Sequence, residues 1–178
     1  MRRNIVLIGM MGAGKTAIGG ELSRRLRRPF SDTDAEIERA AAMTIPEIFA
    51  RDGEAFFRAR ESEVLARVLA AGNGVISTGG GAWLRPENRA CIGEHGVSVW
   101  LDCDLGTLWN RVRHRTTRPL LQTADPYGTL ERMLAERRPT YALADIRVGA
   151  DRSDSIEQTT TRVLDALASH APEILETK

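Results

Sequence analysis

The chain has 178 residues, 42% of them hydrophobic and 28% charged, with a formal net charge of +1. That suffices for one globular domain with a full core, and it gives no global field for nucleic acid or an anionic membrane surface. No apolar run nears the ~20 residues of a membrane helix, and the only cysteines, Cys91 and Cys103, read as reduced apolar residues, so a cytoplasmic protein is expected.

Ile5 to Ile8 form an unbroken β-branched and aliphatic run, which reads as a strand buried on both faces. Gly9 to Thr16 follow as Gly-x-x-x-x-Gly-Lys-Thr, the P-loop pattern, and a helix-like stretch comes next. Each residue type in that pattern has a physical reason. Glycines let the backbone fold closely around a polyphosphate and point N–H groups inward, at the positive end of the next helix. Lys15 would reach the β- and γ-phosphates, and the Thr16 hydroxyl would hold Mg2+. One alternative is a ligand-free glycine turn, which the strand–loop–helix context disfavours. Another is a secretory signal, suggested by Arg2, Arg3 and the apolar stretch. It fails because the run is short, Lys15 follows it, and no clear small-x-small cleavage site precedes a mature start. Lysine usage adds support. Of 25 lysines and arginines, only Lys15 and Lys178 are lysines. A compact ammonium fits a phosphate cradle where a planar guanidinium is too bulky.

Thr16 to Leu26 reads as the first helix, with Ile18, Leu22 and Leu26 as its buried stripe. Arg24, Arg25, Arg27 and Arg28 suit the negative end of its dipole. Pro29-Phe30-Ser31 is a short strand ending in Asp32-Thr33-Asp34. Ligands of an open parallel sheet bind beyond the carboxyl ends of its strands, so both aspartates fall on the P-loop edge. Capping of the helix near Ala35 explains them about as well. The P-loop favours a site, and one Asp can do both. Thr44-Ile45-Pro46-Glu47 is a capping box that opens a helix, which pauses near Asp52-Gly53 and resumes from Glu54 to about Ala70. Phe57, Leu65, Val68 and Leu69 read as core. Arg58 and Glu61, three apart, read on pattern alone as an ordinary surface ion pair.

Gly74 to Thr78 is a third strand, and Gly79-Gly80-Gly81 directly after it imply a backbone that something approaches closely. A plain flexible turn is the alternative. Pro86 starts another helix, Val97 to Leu101 is a fourth buried strand, and Asp104 caps a helix through Leu108 and Val112. From Arg111 to Thr123 the only charges are positive: Arg111, Arg113, Arg115 and Arg118, with His114 able to add to them. Pro119 is expected to break the helix. The near-neutral net charge and the lack of interleaved aromatics argue against nucleic acid. A mobile arginine-bearing lid over a triphosphate explains the stretch better. Pro126 to Ala142 reads as mostly helical and Asp145 to Gly149 as the fifth strand. Ser153 or Asp154 should cap a closing amphipathic helix with Ile156, Val163, Leu164 and Leu167. The histidines (His95, His114, His170) are scattered and form no metal site.

Several motifs now stand in order: Gly9–Thr16, Asp32-Thr33-Asp34, Phe57-Arg58-Ala59-Arg60-Glu61, Thr78-Gly79-Gly80-Gly81, Arg118-Pro119-Leu120-Leu121, and Arg-x-Pro-x-Tyr at Arg137–Tyr141. Together they resemble the shikimate kinases of bacteria and plants over essentially the whole chain. The resemblance implies a three-layer α/β fold of the P-loop, nucleoside monophosphate kinase type. Its five-stranded parallel sheet would run in the order 2-3-1-4-5 with helices on both faces. A single domain is implied, with a mobile lid at about 111–125 and a substrate-binding helical region at about 33–62. The implied reaction moves the γ-phosphate of ATP to the 3-hydroxyl of shikimate, on the route to chorismate and aromatic amino acids. The enzyme would be a cytoplasmic monomer using one Mg2+, with no nucleic acid or membrane partner.

By position, Asp34, Arg58, Gly80, Gly81 and Arg137 form the implied shikimate site. Arg58 and Arg137 would grip its carboxylate, and Asp34 would bind ring hydroxyls including the acceptor. Gly12, Ala13, Gly14, Lys15 and Thr16 are the implied phosphate loop, with Thr16 and Asp32 near Mg2+. Lys15, Asp34 and the lid arginine Arg118 are the implied catalytic groups, and Arg111 and Arg152 take adenine-side positions. The nearest rival is another P-loop small-molecule kinase, such as a gluconate kinase. A GTP switch would need Asn-Lys-x-Asp, which a chain with lysine only at 15 and 178 cannot contain.

Overall fold

In a computed structural model that describes residues 3–114 and 122–176, the first apolar run becomes the central strand β1 (Asn4–Ile8), every residue of it buried. It lies between two other fully buried strands, β3 (Val75–Ser77) and β4 (Gly96–Asp102). Strands β2 (Phe30–Asp32) and β5 (Ile146–Gly149) form the edges. β2 is half-buried and β5 alternates buried with exposed residues, as edge strands do when only part of their surface is covered. The sheet order is β2-β3-β1-β4-β5 and every pairing is parallel. This is the expected sheet. Its register brings Asp32 beside Ser77, Leu7 beside Ser77, and Asp102 beside Gly149, so the carboxyl ends finish along one edge. At the opposite edge Asn4 is buried, donating to the carbonyls of Leu69 (2.9 Å) and His95 (3.1 Å) and accepting from the Gly74 N–H (2.9 Å).

The helices are α1 (Lys15–Leu26), α2 (Thr33–Ala41), α3 (Ile45–Ala71), α4 (Pro86–His95), α5 (Leu105–Val112), α6 (Pro126–Tyr141) and α7 (Ile156–His170). α1 and α7 pack on each other and on β3 and β5, while α3 packs on α4 and α4 on β4. The capping box at Thr44 forms, with Glu47 N–H donating to the Thr44 hydroxyl (3.3 Å) and Thr44 N–H to the Glu47 carboxylate (3.2 Å). The expected pause in α3 is also present. Gly53 lies at φ 84°, ψ 173°, a conformation that glycine tolerates and that breaks the helical path without ending it. Both cysteines are free thiols. Among the described residues no helix is long and apolar enough to cross a membrane.

Several local expectations are corrected. The cap of α7 is Ser155, not Ser153 or Asp154. Ser155 Oγ accepts from Gln158 N–H (3.1 Å) and Gln158 Oε1 accepts from Ser155 N–H (2.8 Å), a reciprocal box. Asp154 instead accepts from the Asp151 N–H (2.7 Å) and pairs with Arg162. Ile156 is exposed: at the first position of α7 it faces an open cleft rather than the core. α5 ends at Val112, well before Pro119, because its buried stripe of Leu108 and Val112 has no apolar continuation. Leu26 is half-buried rather than fully buried on the α1 stripe, while Val68, also half-buried, packs against the core as expected. Arg24 and Arg25 do more than suit the dipole, since each donates to the Glu21 carboxylate at 2.8 Å.

Candidate active site

The loop between β1 and α1 needs glycine for two separate reasons. Gly14, immediately before α1, has φ 93°, in the left-handed region that side chains disfavour. Gly12 has φ 82°, and a Cβ there would also sit 2.7 Å from Val112 Cγ1. Lys15 is only 8% exposed, and its Nζ donates to the carbonyls of Gly9 (2.6 Å) and Met10 (2.9 Å), so the ammonium lies along the loop. Thr16 Oγ1 donates to Asp32 Oδ2 at 2.7 Å and lies 3.5 Å from Ser77 Oγ. The other Asp32 oxygen accepts the Ala35 N–H at 3.2 Å and caps α2. One aspartate therefore does both jobs weighed for it. Arg111, on α5, donates to the Gly12 carbonyl at 3.0 Å. These residues line a cleft of about 560 Å³, whose far wall includes Ser155 and Ile156.

A second cleft of about 480 Å³ adjoins the first. The two share Met11, Thr16, Asp32, Asp34, Gly79 and Gly80. The walls of the second come from separate elements: Asp34 from the first turn of α2, Arg58 and Glu61 from α3, Arg137 from α6, and Gly79 to Gly81 from the loop after β3. Arg58 Nη1 donates to Glu61 Oε1 at 3.0 Å, and Glu61 is 1% exposed. The expectation of an ordinary surface pair therefore fails on burial. Burial pushes the Glu61 carboxyl above its usual range, with the Arg58 guanidinium opposing that rise and the nearby Asp34 adding to it. Two buried polar atoms here, Glu61 Oε2 and Arg137 Nη1, have no hydrogen-bond partner among the described residues. An unspent guanidinium donor in a cleft is suited to an acceptor oxygen, best an anionic one.

None of these three glycines has a positive φ; Gly79 and Gly81 are held to glycine by space, while a Cβ on Gly80 would meet only ordinary contacts. A Cβ on Gly79 would lie 2.7 Å from Asp34 Oδ1 and 2.9 Å from Glu61 Oε2. One on Gly81 would lie 2.6 Å from Arg58 Cζ, and one on Gly80 would lie 3.5 Å from Arg137 Nη1. The loop is bare so that charged side chains can close on it, which argues against a merely flexible turn.

The family model for shikimate kinase matches residues 11–168. The chain belongs to the shikimate kinase family. A shikimate kinase from Ruegeria pomeroyi is 59% identical over 169 residues, which cover 95% of this chain and 87% of that one. Another from Cereibacter sphaeroides is 55% identical over 177 residues, covering 99% of this chain and 88% of its own. The likeness extends to the fold. The structure of shikimate kinase from Acinetobacter baumannii in complex with shikimate superimposes with a TM-score of 0.91 at 35% identity, covering 95% of this chain and 94% of that chain. Membership of the shikimate kinase family makes the chain a P-loop kinase with ATP as its phosphoryl donor.

Most of the positions singled out by the shikimate kinase resemblance come together. The first cleft gathers Gly12, Ala13, Gly14, Lys15, Thr16, Asp32 and Arg111. The second gathers Arg58, Gly81 and Arg137, while Asp34 and Gly80 lie at the junction. Arg152 lines neither cleft but is tied to Asn110, the chain neighbour of Arg111. It is exposed, and with the Asn110 amide oxygen turned toward it, it donates from Nη2 (2.9 Å) and Nε (3.0 Å). Arg118, with Arg115 and the Pro119-Leu120-Leu121 run, lies outside the described residues. Glu61 was not expected at the site, yet a signal for it existed. Phe57, Glu61, Leu65 and Leu69 recur every four residues, so this glutamate sits on the apolar stripe of α3. Ser77, and Thr33, whose hydroxyl accepts from the Gly79 N–H at 3.3 Å, carried no such mark.

Proposed function

We propose that this chain transfers the γ-phosphate of ATP to the 3-hydroxyl of shikimate, giving ADP and shikimate 3-phosphate on the route to chorismate. The observation that carries the reading is the pair of joined clefts, a P-loop on one side and two inward arginines on the other, with Asp34 where they meet. Shikimate is a small polyhydroxylated monoanion. Arg58 and Arg137 form the fork for its carboxylate, and Gly80 and Gly81 allow its close approach. Asp34 hydrogen-bonds the ring hydroxyls, turns the acceptor toward the nucleotide side, and takes its proton late in the reaction.

Phosphoryl transfer passes through a loose transition state, so positioning and charge neutralisation dominate catalysis. Lys15 supplies a cation at the β- and γ-phosphates, with Gly12, Ala13, Gly14 and Thr16 completing the loop around them. Arg118 is assigned as the lid cation within a lid at about 111–125, and the acceptor-binding region is residues 33–62. Arg111 and Arg152 belong on the adenine side. Thr16 and Asp32 fit Mg2+: their hard oxygens already approach to 2.7 Å at the sheet edge, and Mg2+ is held by one or two carboxylates together with substrate phosphates. When bound, Mg2+ would supply neutralisation of the negative charge on the β- and γ-phosphates. The enzyme acts as a cytoplasmic monomer with no nucleic acid or membrane partner. ADP release with Mg·ATP should depend on shikimate and stay at background with gluconate or nucleoside monophosphates. Release driven by one of those controls and not by shikimate overturns the reading.

A further inference from the structure

The run Arg137–Tyr141 ends in a tyrosine that lines neither cleft. Tyr141 is completely buried, and a buried phenol needs a partner for its hydroxyl. It donates to the Gly80 carbonyl at 2.5 Å and lies 3.7 Å from Met10 Sδ of the P-loop. A second tie joins the same two regions, with Trp83 Nε1 donating to the Thr140 carbonyl at 2.8 Å. Arg137 stands one turn before Tyr141 on the same face of α6. The helix that supplies an arginine to the acceptor cleft thus also grips the glycine loop opposite it.

The Gly80–Gly81 peptide is trans, as are all the described peptides. Across a trans peptide the C=O and the N–H point in opposite directions. With the Gly80 carbonyl drawn into the core by Tyr141, the Gly81 N–H faces the other way, on the side of the cleft that these glycines line. We infer that Tyr141 is a positioning residue: by anchoring the Gly80 carbonyl it aims the Gly81 N–H at the acceptor's oxygens, in register with Arg137. The inference rests on the shikimate reading of that cleft. A peptide released from the anchor could turn its carbonyl oxygen toward an oxygen-rich ligand and repel it. Burial pushes the Tyr141 phenol up from its ordinary value, against the opposing pull of the neighbouring Arg137 guanidinium, so the hydroxyl stays a donor throughout the neutral range.

Tyr141→Phe removes the hydroxyl and keeps the ring, which stacks on Trp100 at 6.0 Å. Calorimetric titrations with shikimate and, separately, with a non-hydrolysable ATP analogue should show shikimate affinity about tenfold weaker, near the worth of one hydrogen bond. Affinity for the ATP analogue stays the same, and KM for shikimate rises far more than kcat falls. Trp83→Phe cuts the other tie without touching the Gly80 carbonyl. It should lower thermal stability yet keep shikimate affinity within about twofold. In the wild type, shikimate must shift the Gly81 amide resonance in a nitrogen–proton NMR titration. An unmoved resonance overturns the inference whatever the variants do. So does a Tyr141→Phe protein with reduced stability and unchanged shikimate affinity, or equal weakening in both variants. Wild-type protein that binds the ATP analogue but not shikimate overturns the functional reading and this inference together. Normal wild-type binding with an unaffected Tyr141→Phe overturns this inference alone.

Discussion

The two clefts that meet at Asp34 are built by opposite means. On the nucleotide side the backbone does the holding: glycines at positive φ and a lysine lying along the loop's own carbonyls. On the acceptor side, side chains from three helices converge, and their aim depends on buried neighbours. Arg58 leans on Glu61, and Arg137 rides on a helix tied to the glycine loop through Tyr141 and Trp83. A backbone cradle is written in adjacent residues. A side-chain cradle is spread along the chain, and its supporting charge can be hidden in the core.

If the two sides are separable, substitutions should sort by the parameter they damage. Lys15→Arg should have the largest effect, lowering kcat about 10²–10³-fold, the range seen when one preorganised donor to a transition state is lost. Its unfolding temperature should stay close to that of the wild type. Turnover near wild type would show that a bulkier cation fits the loop, contrary to the cradle described here.

Next come Arg58→Lys and Arg137→Lys, which keep the charge and lose the planar fork. Charge-assisted hydrogen bonds are worth about 1.5–3 kcal/mol, so shikimate should bind roughly ten- to hundredfold more weakly in each. A non-hydrolysable ATP analogue should bind as before. Equal losses for both ligands in a calorimetric titration would mean the clefts are not independent.

The smallest effect concerns Glu61. Burial raises its carboxyl above the ordinary value of 4.5, so the folded protein holds this proton more tightly than the unfolded chain. The resulting stability is fully present below the ordinary value and is lost as pH rises through the raised one. Glu61→Gln abolishes that dependence. The wild type's unfolding temperature should therefore fall relative to the variant's across that rise. A difference that stays constant from about pH 4 to about pH 8 contradicts this sign.

What could be read in advance follows the same division. The P-loop, the capping box at Thr44 and the break at Gly53 are contiguous patterns whose chemistry is local, and each appears where expected. The sheet order came from family resemblance, since strand runs alone do not say which strands are neighbours. The cap of α7 was missed because Ser153, Asp154 and Ser155 are all good cap residues. The choice is made by Gln158, which can close a reciprocal box only with Ser155. Arg58 and Glu61 looked like a surface pair because a three-residue spacing carries no information about burial. That burial is imposed by α4 and the glycine loop packing on α3. Arg152 has as its partner Asn110, on a distant element, which no local pattern marks.

The grip of Arg58 and Arg137 on a carboxylate is tested most directly by titrating shikimate and its methyl ester into two proteins, the wild type and Arg58→Ala/Arg137→Ala. The ester keeps the ring hydroxyls and loses the negative charge. In the wild type it should bind roughly ten- to hundredfold more weakly than shikimate. In the double variant the two ligands should bind within about threefold of each other, because the groups that told them apart are gone. The same ester penalty in both proteins would contradict the carboxylate fork.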